Sequence, residues 1–263
     1  MYLIDSHCHL DFSRFDGDRD EAVQRARAAG VQIIINPGYD LKSSQRAVDL
    51  AERYPEVYAA VGVHPHEAKT VTDEVMAELR RLAAHPKVVA IGEMGLDFYR
   101  DLSPRDVQRR AFRQQLALAA ELELPVIVHS REAHDDVMAI LAEAQSSKFK
   151  AQNRKLKGVL HAFSGDQAMA ERATDLGFLV GLAGPVTFLN AHRLRTLVRE
   201  LPLERLLVET DAPYLTPHPY RGKRNEPGRV ALVAAAVAEL QGVTEAAVAR
   251  QTTANARQLF GLT

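Results

Sequence analysis

The chain opens Tyr2-Leu3-Ile4-Asp5-Ser6-His7-Cys8-His9, an apolar run that ends on two histidines one residue apart. In extended backbone, side chains two positions apart point to the same side, so His7 and His9 offer two imidazoles to one point in space. That is a metal clamp at the end of a strand. A bare His-x-His pair recurs by chance, so its weight depends on the residues at the ends of the later apolar runs.

Seven more short, β-branched runs come after residues 2–5, at 32–36, 57–63, 88–92, 125–128, 157–160, 178–182 and 206–208. Ala-, Arg- and Glu-rich stretches of helical spacing lie between them, among them 18–29, 43–54, 104–121 and 134–144. This alternation predicts an α/β protein of repeated βα units. Eight such units in 263 residues fit a single (β/α)8 TIM barrel spanning 1–263 better than two doubly wound domains, and no linker divides the chain. Catalytic groups of such barrels gather at the carboxyl ends of the strands. His7 and His9 follow the first run, His64 the third, Glu93 the fourth, His129 the fifth, His161 the sixth, and Glu209 and Asp211 the eighth. Scattered surface histidines would not fall on strand ends so regularly.

Four imidazoles with two carboxylates exceed one closed structural zinc and suit two divalent ions that keep open positions for water and substrate. Glu93 is the expected bridge, because a carboxylate has two oxygens and can hold ions about 3.5–4 Å apart. His7, His9 and Asp211 complete one ion, and His129 and His161 the other. Asp211 also suits the role of proton acceptor for an attacking water. His64 and Glu209 have three readings: contact with a further ion, a grip on the scissile phosphate, or support of the ligands from behind. Imidazole suits manganese and zinc better than magnesium, which makes manganese the first expectation, with magnesium and zinc as alternatives.

A formal net charge of −1 excludes a protein held to nucleic acid by bulk charge, so such binding has to come from a local site, which two divalent ions would supply. The single Cys8 excludes an internal disulfide and fits a reducing compartment. With no signal pattern and no run of membrane-spanning length, the expectation is a cytoplasmic protein with no membrane and no obligate protein partner.

Ordered motifs carry a resemblance: DSHCHLDF (5–12), GVHPHE (62–67), IGEMGLDFYR (91–100), LPVIVHSRE (124–132), VETDAPYLTP (208–217) and RGKRNEP (221–227), closed by ANARQLFGL (254–262). The chain resembles the TatD family of metal-dependent deoxyribonucleases over nearly its whole length. The resemblance implies an amidohydrolase-like TIM barrel that uses magnesium or manganese to cleave phosphodiester bonds, often removing nucleotides from 3′ ends of DNA. Its ligand positions fall on His7, His9, Glu93, His129, His161 and Asp211. One departure is visible: family members commonly read HCFSG where this chain has His161-Ala162-Phe163-Ser164-Gly165. Strand alternation turns Ala162 away from His161, which would leave the site intact.

For substrate, Arg131 stands two residues beyond His129 and suits bidentate phosphate contact; the alternative is a salt bridge to Glu132 or near Glu93. Lys223, Arg224 and Asn225 follow the last strand in a loop on the same face, and either line a nucleic-acid groove or pin the loop to acidic neighbours such as Glu226. Phe98, Tyr99 and Tyr214 could stack a base, with rim packing expected for at least two. The basic run Lys148, Lys150, Arg154, Lys155 and Lys157 precedes the sixth strand, at the opposite face, and reads as a solvated loop. His66, His85, His134, His192 and His218 match no ligand slot, and Cys8 points away from its neighbours into the core. The leading reading is a metal-dependent nuclease acting on single-stranded or damaged DNA 3′ ends. The alternatives are an ester or amide hydrolase, such as an aminoacyl-tRNA deacylase, and a metal-binding scaffold without turnover.

Overall fold

Strand follows strand around the molecule in chain order. In a computed structural model that describes residues 2–146 and 155–262, β1 (Leu3–Asp5), β2 (Val31–Pro37), β3 (Val57–Val61), β4 (Val88–Asp97), β5 (Val126–Arg131), β6 (Gly158–Leu160), β7 (Phe178–Leu182) and β8 (Leu206–Val208) form one sheet. Every pairing from β1 to β8 is parallel. The segments just beyond β8 and β1 close the seam: Ser6 N–H donates to Val208 O (3.2 Å), Asp211 N–H to His7 O (2.8 Å) and His9 N–H to Ala212 O (2.8 Å). Cys8 and Ala212 form a parallel bridge there. The architecture is the TIM barrel that the alternation predicts.

Outside the strands lie α1 (Arg19–Ala28), α2 (Leu41–Arg53), α3 (Asp73–Ala83), α4 (Arg105–Leu122), α5 (His134–Ala144), α6 (Gln167–Asp175), α7 (His192–Glu200), α8 (Val230–Gln241) and α9 (Glu245–Phe260). Several begin on side-chain caps, such as Asp40 on the Ser43 N–H (2.6 Å) and Asp166 on the Met169 N–H (2.9 Å), which satisfy donors that a helix start leaves free. Among the described residues, no single helix is long and apolar enough to cross a membrane.

Alternation along the strands sorts the core into two layers. Leu3, Val57, Val61, Val126, Val128, Val180 and Leu206 face the helices and meet residues such as Phe112, Leu116 and Val137. Ile4, Ile33, Ile35, Ala60, Ile127, Val159 and Leu207 form the inner layer, together with Ala256, Leu259, Phe260 and Leu262 from the end of the chain. Asn255 Nδ2 donates to Leu203 O and Leu206 O, and Thr253 Oγ1 to Tyr2 O, so α9 lies across the amino ends of β8 and β1. Burying an aliphatic side chain of this size stabilises by about 1.5–3 kcal/mol.

Two strands run further than their apolar runs predict. β4 continues to Asp97 and β5 to Arg131, so Glu93 and His129 lie inside strands rather than after them. The apolar run breaks where the strand carries functional groups, although the pairing continues. β4 also changes register: Ile91 pairs with Val126 but Met94 with Val128, three steps against two. Such a bulge re-aims side chains. Ile91 and Met94 both face the helices, so strict alternation from Ile91 would turn Glu93 outward; the extra residue turns it in, with its N–H on Gly38 O (2.8 Å). Gly92 and Gly95 make this possible, with φ of 146° and 137°. A Cβ on Gly92 would lie 2.6 Å from Ile127 O, and one on Gly95 would overlap His129 O.

Ala162 corrects an expectation. β6 ends at Leu160 and Ala162 has a left-handed backbone (φ 43°), so strand alternation does not govern its direction. In the basic run, Lys148, Lys150 and Arg154 lie outside the described residues, while Lys155 and Lys157 are exposed just before β6.

Candidate metal centre

The first cluster forms at the β8–β1 seam. His7 and His9 turn their Nε2 atoms to within 3.1 Å of each other. Asp211 Oδ1 lies 3.6 and 3.7 Å from them, and Glu93 Oε2 3.4 and 3.6 Å. Four ligands each roughly 2.1 Å from one ion in a tetrahedron stand about 3.4 Å apart, so this donor spacing fits a divalent cation. Asp211 holds a left-handed backbone (φ 53°), a conformation that costs a non-glycine residue about 1–3 kcal/mol and persists where the surroundings fix it. Here the bond from its N–H to His7 O fixes it. Beneath the seam, the fully buried Asp5 accepts from Thr210 N–H (2.8 Å), Thr210 Oγ1 (2.6 Å) and His7 N–H (3.4 Å). Burial pushes the Asp5 carboxyl up despite these bonds.

The second cluster gathers on the other oxygen of the same carboxylate. Glu93 Oε1 lies 2.8 Å from His161 Nε2, 3.0 Å from His129 Nδ1 and 3.4 Å from His64 Nε2. His129 Nδ1 and His161 Nε2 are 3.2 Å apart. Burial opposes a charge on Glu93, but the imidazoles of His161 and His64 hold its carboxyl well below the usual range. Burial likewise opposes a charged His161, and the carboxylates of Glu93 and Glu209 outweigh it, holding the ring well above its ordinary value. His64 is buried and lines the cavity, with its Nε2 in the cluster itself. Its Nδ1 accepts the His66 N–H (3.1 Å), so the neutral ring carries its proton on Nε2, toward Glu93. Burial draws its pKa down to about 4.

Glu209 is fully buried behind His161, with Oε1 3.5 Å from His161 Nδ1 and 2.5 Å from the Ala162 N–H that donates to it. Ser6 Oγ donates to Oε2 (3.2 Å). Gly181 leaves it room, since a Cβ there would stand 2.6 Å from Glu209 Oε2. His7, His161 and Glu209 also converge closely enough to share an ion. Buried Nδ1 atoms of His7, His9 and His161 have no hydrogen-bond partner among the described residues. An imidazole-rich set with carboxylates, packed this closely and short of donors, suits divalent metal.

Asp97 and His66 belong to this site, although the sequence pattern gives no sign of the first and no ligand slot to the second. Asp97 Oδ2 lies 2.9 Å from His66 Nε2 and 3.2 Å from His129 Nε2. Burial opposes its charge, but the bonds from His129, His66 and the Arg100 N–H hold the carboxyl far below the usual range. One signal could have found it: Asp97 is two residues from Gly95 and four from Glu93, the inward spacing of the strand.

A cavity of about 510 Å³ opens over both clusters. Phe12, Tyr39 and Tyr214 form one wall, with Phe12 5.0 Å from Tyr39, 5.6 Å from Tyr214 and 5.2 Å from the His9 ring. Arg100, Leu102 and Arg131 line the other. Arg131 stacks on the exposed Tyr99 at 4.0 Å, while Phe98 is packed between Arg105 and Arg109. Arg224 takes the loop-pinning one of its two expected roles: it grips both oxygens of Asp18 (2.6 and 2.7 Å) at the start of α1, over the Phe15 ring. The partner is Asp18 rather than Glu226, which Arg25 engages instead (2.7 Å). Asn225 donates to Thr210 O (2.9 Å) and Tyr214 O (2.7 Å), tying the loop to the Asp211 turn. Lys223 is exposed, with Nζ 5.8 Å from the Tyr220 ring. Cys8 is buried in the outer layer.

Residues 4–261 match the family described as TatD related DNase. The chain belongs to the TatD family. Its TatD relatives include a Bacillus subtilis protein named "Uncharacterized metal-dependent hydrolase YabD", 45% identical over 258 residues that span 98% of each chain. A Klebsiella pneumoniae protein named "3'-5' ssDNA/RNA exonuclease TatD" is 41% identical over 99% of this chain and 98% of its own. Among solved structures, the Escherichia coli TatD homolog YjjV superimposes with a TM-score of 0.91 at 36% identity, over 99% and 98% of the two chains. As a TatD protein, the chain is a metal-dependent hydrolase with His, Glu and Asp groups placed to bind metal.

Proposed function

We propose that the protein is a binuclear metal-dependent deoxyribonuclease that removes nucleotides from 3′ ends of single-stranded or damaged DNA, working in the cytoplasm as one TIM-barrel domain over 1–263. One observation carries the reading: the two oxygens of Glu93 face two separate nitrogen clusters, 3.4 and 3.6 Å from His7 and His9 on one side, and 2.8 and 3.0 Å from His161 and His129 on the other. His7, His9 and Asp211 would hold one divalent ion, His129 and His161 the other, with Glu93 between them and Glu209 fixing His161. Manganese or magnesium would be the working ions, with zinc able to bind. When bound, such a pair acidifies water and neutralises charge on a phosphodiester.

The protein's own groups supply the rest. Asp211, at the inner end of the cavity, accepts the proton of the attacking water. His64 points its Nε2 proton into the site, where it can meet a phosphate oxygen. Arg131 and Arg100 face the cavity as cations for the phosphate backbone, and Lys223 extends this beyond the rim. The aromatic wall of Phe12, Tyr39 and Tyr214 offers π faces to unstacked bases, which a single strand presents and a duplex does not. The relatives named ssDNA/RNA exonuclease support a nucleic-acid substrate.

The test is metal-stripped protein titrated with manganese, magnesium and zinc against 3′-labelled and 5′-labelled single-stranded oligonucleotides. Stepwise release of mononucleotides from the 3′ end with manganese is the expected result. Oligonucleotides left intact under every metal, with turnover of aminoacyl esters instead, would replace the nuclease by an ester hydrolase.

A further inference from the structure

Asp97 is buried at the wall of the cavity and is among the most constrained side chains of the site. Its backbone is clamped by one amide of α4: Asp97 N–H donates to Gln108 Oε1 (2.9 Å) and Gln108 Nε2 donates back to Asp97 O (3.1 Å) and to Ser103 O (2.8 Å). Its Oδ1 accepts the N–H groups of Tyr99 (3.0 Å) and Arg100 (2.8 Å). Only Oδ2 remains, and two imidazole nitrogens approach it, His66 Nε2 at 2.9 Å and His129 Nε2 at 3.2 Å.

We propose that Asp97 is a positioning residue for the metal centre: its carboxylate holds the His129 proton on Nε2 and thereby turns the Nδ1 lone pair toward Glu93 and His161. A carboxylate only accepts, and a neutral imidazole has one proton to give. Two carboxylates face the ring, Asp97 Oδ2 at Nε2 (3.2 Å) and Glu93 Oε1 at Nδ1 (3.0 Å); with Glu93 engaged by ions, Asp97 takes the proton and Nδ1, 3.2 Å from His161 Nε2, is left as a ligand. The neighbouring His64 shows the opposite outcome of the same rule. Its Nδ1 accepts a backbone N–H, so it turns a proton into the cluster where His129 turns a lone pair. Gly95, opposite His129 in the ladder, lets the two strands approach here, since a Cβ there would overlap the His129 carbonyl. This inference rests on the metal-binding reading above, and its spectra test the proton placement separately from the number of ions bound.

Asp97→Asn tests it, because an amide of the same shape keeps an oxygen for Tyr99 and Arg100 while turning an NH₂ on His129. The ring then has to accept at Nε2 and carry its proton on Nδ1, where it no longer ligates. Calorimetric titration with Mn²⁺ should find wild type binding two equivalents and Asp97→Asn with one of them weakened 10–100-fold, the range for losing such a partner. Two-bond proton–nitrogen correlation spectra of the Zn²⁺-loaded wild type should place the His129 proton on Nε2, and this arm needs no variant to fold. A His129 proton on Nδ1 in wild type, or undiminished Mn²⁺ affinity in folded Asp97→Asn, would overturn the assignment. A single Mn²⁺ equivalent in wild type would instead remove the two-ion reading and leave the proton placement to the spectra.

Discussion

His7, His9 and Asp211 are brought together by main-chain hydrogen bonds between two adjacent segments, whereas Glu93, His129 and His161 come from three strands and depend on side chains and missing side chains. At the seam, the bonds Asp211 N–H to His7 O and His9 N–H to Ala212 O set the ligand spacing, with the buried Asp5–Thr210 pair and Asn225 bracing that backbone from behind. On the β4–β6 side, the ligands depend on a bulge, two glycines, the Asp97 carboxylate and the Gln108 clamp. The seam should therefore tolerate change around its ligands better than the β4 side, although the ligands themselves are equally exacting in both.

Glu93 serves both clusters, so its loss should level the two. Glu93→Ala should lower kcat/KM by roughly a thousandfold, or about 4 kcal/mol of transition-state stabilisation, while circular dichroism stays native. A variant with most of its activity left would show that the two clusters do not share the carboxylate. Gly95→Ala separates them. Its Cβ would overlap His129 O, at a cost of about 2–5 kcal/mol in strain and overpacking. Denaturant melts should show that loss, and the purified variant should lose Mn²⁺ affinity on the His129 side first. Equal weakening of both equivalents would mean that the halves are mechanically one.

Metal removal probes both at once. Protein stripped with chelator should melt lower, and Mn²⁺ at about a hundred times its Kd should restore about 2.7 kcal/mol for each ion bound, roughly 5–10 °C apiece at this chain length. His9→Ala and His129→Ala should each keep part of that gain, and one that kept all of it would not be a ligand. The smallest effect is expected far from both clusters. Arg224 holds the partly exposed Asp18 carboxyl far below its usual range, with a further contribution from Arg25. A depressed carboxyl contributes stability that is fully present above its unfolded value, about 3.9, and fades as pH falls toward the folded value. Arg224→Ala should thus cost at most about 1 kcal/mol near neutrality and less below pH about 4, with Mn²⁺ binding unchanged. A pH-independent loss would assign Arg224 a packing role over Phe15.

The same contrast explains what could be read from the chain. The strand runs, their order and the seam ligands follow from local pattern, because His7 and His9 are two residues apart and Asp211 comes just after Leu206, Leu207 and Val208. Glu93 is visible as a residue type, yet its direction is not: alternation from Ile91 turns it outward, and only the paired register reveals the bulge. Asp97 escaped because its partners, His66, His129 and Gln108, lie 31, 32 and 11 positions away. Arg224 keeps two readings in the sequence, groove or loop pin, because a basic loop residue looks the same whether its carboxylate is a neighbour in sequence or, like Asp18, 206 residues distant.

The packing of Ala256, Leu259, Phe260 and Leu262 beneath the barrel has a consequence for traffic. With that plug in place beneath the inner layer, the described residues close the barrel from below. If the substrate is the polymer proposed above, it could not be threaded through such a cup from end to end, and a released fragment would back out along the path by which the chain entered.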